Sequence, residues 1–303
     1  MNILKKVPLA IIVLYLSISN LSSAPLVSTN WLLDNLNNQN IKILDIRNKI
    51  DGGSLDTFIQ SHIPGAVYSN YLEDGWRVKS KDGVPGILPE LSDLENLIQN
   101  LGISNNDHVI IVSGGNSSTD FGSAARIYWT LKTLSHDQVS ILNGGFKSWQ
   151  EENLPLESGI NNLPKSDFKA VFNNKYLALS EDVKNIIGSS NAELIDARPK
   201  IQYTGEEKSN IVSRYGTIKS SKNLEQNSLT FPNSSKLKPV SEIEDLLLIS
   251  GIDRNLNKIT FCNTGHWATV SWFALSEYLG LEGVKMYDGS LAEWDNLGYE
   301  IKS

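Results

Sequence analysis

Short apolar runs recur along the chain, each closed by polar or turn residues and followed by a longer stretch with helical spacing. Val109–Val112 and Ile259–Phe261 are the clearest runs. They are short and rich in β-branched residues, which predicts strands buried on both faces. Behind them the spacing predicts helices over about Gly122 to Leu134 and about Ala268 to Leu279. Such alternation implies an α/β fold in which each unit is a mainly parallel sheet with helices on both faces.

The pattern is written twice. Ile43-Leu44-Asp45-Ile46-Arg47 returns as Leu194-Ile195-Asp196-Ala197-Arg198. Val139 to Gly145, with Trp149 behind it, returns as Val284 to Ser290 with Trp294. Between the copies lies a stretch with Asn pairs, Pro164 and no clear periodicity, the mark of a linker. The expected organisation is a first domain over 25–157, a linker over 158–175 and a second domain over 176–303. Trp129, Trp149, Trp272 and Trp294 recur at helix positions and are expected in the core, and Asp45, Arg47, Asp196 and Arg198 suit strand-end ion pairs.

The first residues depart from this pattern. Lys5 and Lys6 precede an apolar run from Val7 to Ile18, and Ser22, Ser23 and Ala24 follow. That order predicts a secretory signal peptide over 1–24, too short to span a bilayer comfortably. Pro25 disfavours a cut after Ala24, so a cut at Ser23 is allowed. The expectation is an exported, periplasmic protein with no membrane anchor. A formal charge of −7 argues against nucleic acid as a partner, which needs a basic surface. His108 and His136 have no ligand partners at metal-site spacing, so no metal is expected; no other cofactor is expected either.

Cys262 is the only cysteine, so no intramolecular disulfide exists and the thiol is either inert or kept for its chemistry. Its loop, Cys262-Asn263-Thr264-Gly265-His266-Trp267, lies where a buried strand ends and a helix begins. Ligands of doubly wound sheets sit beyond the carboxyl ends of strands, and a helix N-terminus there offers unpaired N–H groups that favour a thiolate. A buried strand-end thiol is the competing reading; the placement and Gly265 favour a nucleophile. The first copy has Ser113-Gly114-Gly115-Asn116-Ser117-Ser118 at this point, with no evident base, and is expected to be non-catalytic.

The Leu-Asp-Ile-Arg strand end, Ser61-His62-Ile63-Pro64-Gly65-Ala66, the Leu-Asn-Gly-Gly segment and the cysteine loop together resemble the tandem rhodanese family. The resemblance implies two rhodanese-like domains and sulfurtransferase activity. A persulfide would form on Cys262 in the second domain, with an inactive first domain packed against it. It also implies a small sulfur donor, thiosulfate or mercaptopyruvate in type, and a thiol or cyanide-like acceptor, possibly a protein thiol. The His-Cys-x5-Arg pattern of related phosphatases is missing, since Phe261 precedes the cysteine and no arginine follows it.

Where the family's thiosulfate users carry cations, this loop has Asn263 and Thr264, and Gln202 stands four places after Arg198. Arg77 in the long connection of the first domain is the expected substitute contact for an anionic donor, with Gln202 beside it in the substrate site and His266 as a further candidate. Asp288 and Glu293 are expected to be a turn and a solvated face. A non-enzymatic persulfide carrier or redox-sensing module is the alternative to an enzyme.

Overall fold

A computed structural model describes residues 23–302. Its strands, in chain order, are β1 (Leu26–Val27), β2 (Ile41–Asp45), β3 (Val67–Tyr68), β4 (Val78–Lys79), β5 (Pro85–Ile87), β6 (His108–Val112), β7 (Val139–Leu142), β8 (Leu177–Ala178), β9 (Ala192–Asp196), β10 (Thr217–Ile218), β11 (Lys222–Asn223), β12 (Asn257–Phe261), β13 (Val284–Tyr287) and β14 (Ile301–Lys302). Two parallel five-stranded sheets run β1-β7-β6-β2-β3 and β8-β13-β12-β9-β11, the same order in each domain. The register repeats too: Asp45 lies opposite Val112, and Asp196 opposite Phe261. A duplicated pattern has thus folded into a duplicated sheet, with the β4–β5 hairpin added to the first domain and the β10–β14 ribbon to the second.

The repeated Asp-x-Arg motif closes each central strand. Asp45 and Asp196 are fully buried and accept hydrogen bonds from Arg47 Nε (3.0 Å) and Arg198 Nε (2.9 Å). Each arginine also donates to a distant carbonyl, that of Ser61 or Gly216, and so ties the following loop to the sheet. These are the strand-end ion pairs expected from the sequence.

The domains share one hydrophobic core. The first-domain helix Ser118–Thr133 packs on the second-domain helix His266–Trp272. Phe273 meets Phe121 and Tyr128 edge-on, at 5.4 and 4.9 Å between ring centroids. Tyr128 completes the contact by donating to Glu277 Oε2 at 2.9 Å. An interface this apolar holds two domains in one arrangement, whereas a small polar one leaves them free to shift. All four tryptophans expected in the core are buried. The second helix begins two residues earlier than its periodicity predicts, and Phe273–Tyr278 form a π-helical turn in place of its last α-helical turns. Residues 158–173 have no regular structure, yet Phe168 is fully buried in the shared core.

Candidate active site

The catalytic candidate sits at the carboxyl end of β12, between that strand and helix His266–Trp272. Cys262 is buried. On one side the turn after β13 grips its backbone: Ser290 Oγ accepts from Cys262 N–H (3.2 Å), while Leu291 and Ala292 N–H donate to the carbonyls of Cys262 and Asn263 (3.0 and 2.9 Å). Ser290 does this from a backbone with φ of 50°, a left-handed conformation unusual for serine. Strain of that kind persists only where the surroundings enforce it.

The other side of the loop is held by the first domain. Arg77 donates through Nη2 to the Thr264 carbonyl, through Nη1 to Tyr71 Oη (3.3 Å) and through Nε to the Gly86 carbonyl (2.9 Å). Arg126, with no solvent exposure, lies 3.4 Å through Nη1 from the Gly265 carbonyl and 2.6 Å through Nη2 from Asp288 Oδ1. Its guanidinium rests on the Trp129 ring at 4.7 Å. Asp288 Oδ2 accepts from Leu88 N–H at 2.7 Å, so the carboxylate is bound by the first domain through both oxygens. Two successive carbonyls of the cysteine loop therefore point at two arginines of the other domain.

Gly265 is required by this closeness. Its φ is +74°, and a Cβ there would lie 2.7 Å from Arg126 Nη1 and 2.8 Å from the Asp288 carbonyl. His266 completes the clamp: Nε2 faces the Thr119 carbonyl (2.8 Å) and Nδ1 faces Tyr71 Oη (2.7 Å). Those partners assign the proton to Nε2, with Nδ1 accepting from the tyrosine. Burial, helped by the Arg77 and Arg126 charges, pushes the His266 pKa down to about 3, so the ring is neutral at physiological pH. Trp267 Nε1 donates to Thr119 Oγ1 at 3.1 Å. Asn263 Nδ2 donates to Gln202 Oε1 at 2.9 Å.

The structure thus brings Asn263, Thr264, Gly265, His266, Trp267, Gln202 and Arg77 together around one loop. His266 is a buried clamp residue, and Arg77 reaches the loop through a main-chain carbonyl. Tyr71, Thr119, Arg126 and Asp288 were missed from sequence. Asp288, expected only as a turn residue, is buried against Arg126. The available signal was Arg126 itself, a lone charge in the apolar stretch Ala124-Ala125-Arg126-Ile127-Tyr128-Trp129.

The N–H groups of Asn263, Thr264, Gly265 and His266 donate to no protein acceptor among the described residues. A loop with donors left free next to a cysteine can stabilise negative charge that develops there. A parallel-sheet domain with a cysteine in an N–H-lined loop, clamped by a cysteine-free twin, defines a thiolate group-transfer enzyme. The model of the rhodanese-like domain matches residues 28–152 and again 179–297, and the chain belongs to that family. It is 30% identical over 281 residues to the 3-mercaptopyruvate sulfurtransferase of Escherichia coli, covering 90% of this chain and 96% of that one. It is 28% identical to the sulfur carrier protein TtuD of Thermus thermophilus, covering 90% and 94%. The crystal structure of the 3-mercaptopyruvate sulfotransferase SseA from Escherichia coli superimposes with a TM-score of 0.76 at 29% identity, covering 88% of this chain and 99% of that one.

Proposed function

We propose that this sulfurtransferase carries its cargo as a persulfide on Cys262. The observation that carries the reading is the set of loop N–H groups without an acceptor. In the first step the Cys262 thiolate attacks the donor's outer sulfur; the new S–S bond forms as the donor's remainder leaves with the electron pair. In the second, a thiol or cyanide-like acceptor attacks the outer sulfur of the persulfide and the Cys262 thiolate departs. Each step moves negative charge within reach of fixed donors. Because Ser290 grips the loop from one side and Arg77 and Arg126 from the other, little reorganisation is needed as charge develops.

The donor expected from sequence is small and anionic. Its charge would be met by backbone N–H groups, since Arg77 already donates to Gly86, Tyr71 and Thr264. A small acceptor in solution and a protein thiol are both compatible with the second step, and the carrier reading draws support from the Thermus relative's name. Export is likewise our inference. The leader expected over 1–24 lies outside the described residues except for Ser23 and Ala24. Ser23 Oγ donates to the Val139 carbonyl (3.0 Å) and the Ala24 carbonyl accepts from Ser140 Oγ (2.5 Å), so packing against the fold begins next to the expected cut. The first residue of the purified mature protein reads that cut directly.

Cys262→Ser is expected to abolish turnover with little change in stability, while donor-treated wild type gains about 32 Da, the mass of one sulfur. Repeated turnover of a small acceptor supports an enzyme; one sulfur per chain, released only to a protein, supports a carrier. Turnover by the serine variant would remove Cys262 from the mechanism.

A further inference from the structure

We propose that the first domain holds a binding site of its own, for a small organic carboxylate, in the crevice between the carboxyl ends of β2 and β6. The topology singles out that place. The chain leaves β2 for β3 on one side of the sheet and leaves β6 for β7 on the other. The two strands therefore flank a switch point, where ligands of open parallel sheets bind. In the second domain the matching crevice lies between β9 and β12, and Cys262 follows β12 there. In the first domain the loops after β2 and β6 wall a cavity of about 420 Å³. None of its lining residues is among those that hold the cysteine loop.

The charges of the wall point to an anion. Arg47 commits Nε and Nη2 to Asp45 and the Ser61 carbonyl, but its Nη1 has no acceptor among the described residues. The Phe146 ring, centred 3.9 Å from the guanidinium carbon, supports that group from one face. Lys147 Nζ donates to the Asn233 carbonyl at 3.2 Å and forms no ion pair among the described residues, so its ammonium keeps donors to offer. Asp51 is the one carboxyl among the lining residues. Its oxygens already accept from the N–H groups of Asn48 (3.1 Å), Gly53 (2.8 Å) and Gly114 (3.2 Å). A negative ligand thus meets two cations with donors to spare and no uncommitted acid.

The kind of anion follows from what the loop after β6 no longer offers. A tetrahedral phosphate or sulfate at such a crevice is held by backbone N–H groups. Here Asp120 already occupies those of Gly114, Gly115 and Asn116. What remains is a planar guanidinium edge and an ammonium, which suit a carboxylate. The cavity is much larger than a carboxylate group, and the side-chain amides of Gln60 and Gln150 line it without a protein partner among the described residues. They can pair with a second polar group on the ligand, such as an amide.

The probe is N-acetylglycine, which carries a carboxylate and an amide. N-acetylglycinamide lacks its charge, butyrate lacks its amide, and inorganic sulfate is the tetrahedral anion. Each is titrated into the full protein while backbone amide signals are followed by NMR. N-acetylglycine is expected to shift the signals of Gly52, Gly53 and Gly114 and to leave those of Asn263 to His266 in place. Binding should weaken about tenfold for N-acetylglycinamide and about tenfold in Lys147→Met, with a smaller loss for butyrate. Lys147→Gln keeps a donor for the Asn233 carbonyl, so it separates lost charge from a loosened domain contact, and it should show the same tenfold loss. Unmoved signals at Gly52, Gly53 and Gly114 would overturn the assignment. So would tighter binding of sulfate, equal binding of N-acetylglycinamide, or full affinity in both Lys147 variants. Shifts confined to Asn263 to His266 would overturn it as well, by giving the carboxylate to the cysteine loop.

Discussion

The two strand-to-helix loops of this chain began as one pattern and now differ at their centres. In the first domain, Asp120 stands at the third position of helix Ser118–Thr133, and its carboxylate accepts from the N–H groups of Gly114 (3.1 Å), Gly115 and Asn116 (2.8 Å). In the second domain the third position of helix His266–Trp272 is Ala268, and the corresponding N–H groups have no acceptor among the described residues. The first loop carries its own anion; the second leaves the place for the sulfur of Cys262. The same set of loop N–H groups is thus occupied by an aspartate in the first domain and left without a protein acceptor in the second. It also gives the first domain a task, because its Arg77 and Arg126 hold the carbonyls of the cysteine loop.

Moving the plug should have the largest effect. Ala268→Asp places a carboxylate where Asp120 sits in the twin, so it should capture the free N–H groups and repel the thiolate. Loss of such donors costs about 2.7–4 kcal/mol in comparable sites, so kcat/KM is expected to fall by about 100-fold or more, with Cys262 alkylation slowed in parallel. Unaltered kinetics in a folded variant would show that those groups do not serve the sulfur.

Cutting the clamp comes next. Arg126→Met leaves Asp288 buried and opposite an apolar chain, and an unpartnered buried charge costs about 3–5 kcal/mol. Chemical denaturation should register that loss, and Arg126→Met/Asp288→Asn should recover part of it. A variant as stable as the wild type would mean that Leu88 and solvent suffice for Asp288.

The smallest effect concerns the plug's own neighbour. Asp51 Oδ2 shares the Gly114 N–H with Asp120, beside a cavity of about 420 Å³ lined by Arg47, Asn116 and Lys147. Burial first, then the Asp120 charge, pushes the Asp51 pKa up to about 7. A carboxyl raised on folding holds its proton in the native state after the unfolded chain has lost it. The Asp51 contribution is therefore fully present below the ordinary carboxyl pKa, near pH 4, and is lost as pH rises through about 7. Asp51→Asn, neutral throughout, should remove that fall and exceed the wild type by about 1–2 kcal/mol at pH 8, after screening at the cavity. Parallel pH–stability curves would exclude a raised Asp51 ionisation.

Much of this architecture was legible in the chain. The repeat exposed two sheets of one topology, and the Asp-x-Arg strand ends became ion pairs because a motif three residues long needs no tertiary information. The position of Cys262 between strand and helix was legible because strand, loop and helix are contiguous. The clamp was not. Tyr71 and His266 lie 195 positions apart, and Arg126 and Asp288 meet only when two domains dock, so no local period records them. The plug was missed for a different reason: Asp120 reads as an ordinary first-turn acid on a helix, and only its three N–H contacts reveal that it fills the loop.

The most direct measurement is a crystal structure of the donor-treated protein. One additional sulfur is expected on Cys262 Sγ, within hydrogen-bonding reach of N–H groups from Asn263 to His266, with Asp120 unmoved in the first loop. An added sulfur directed away from those groups, or a loaded protein in which Cys262 remains an unmodified thiol, would contradict it.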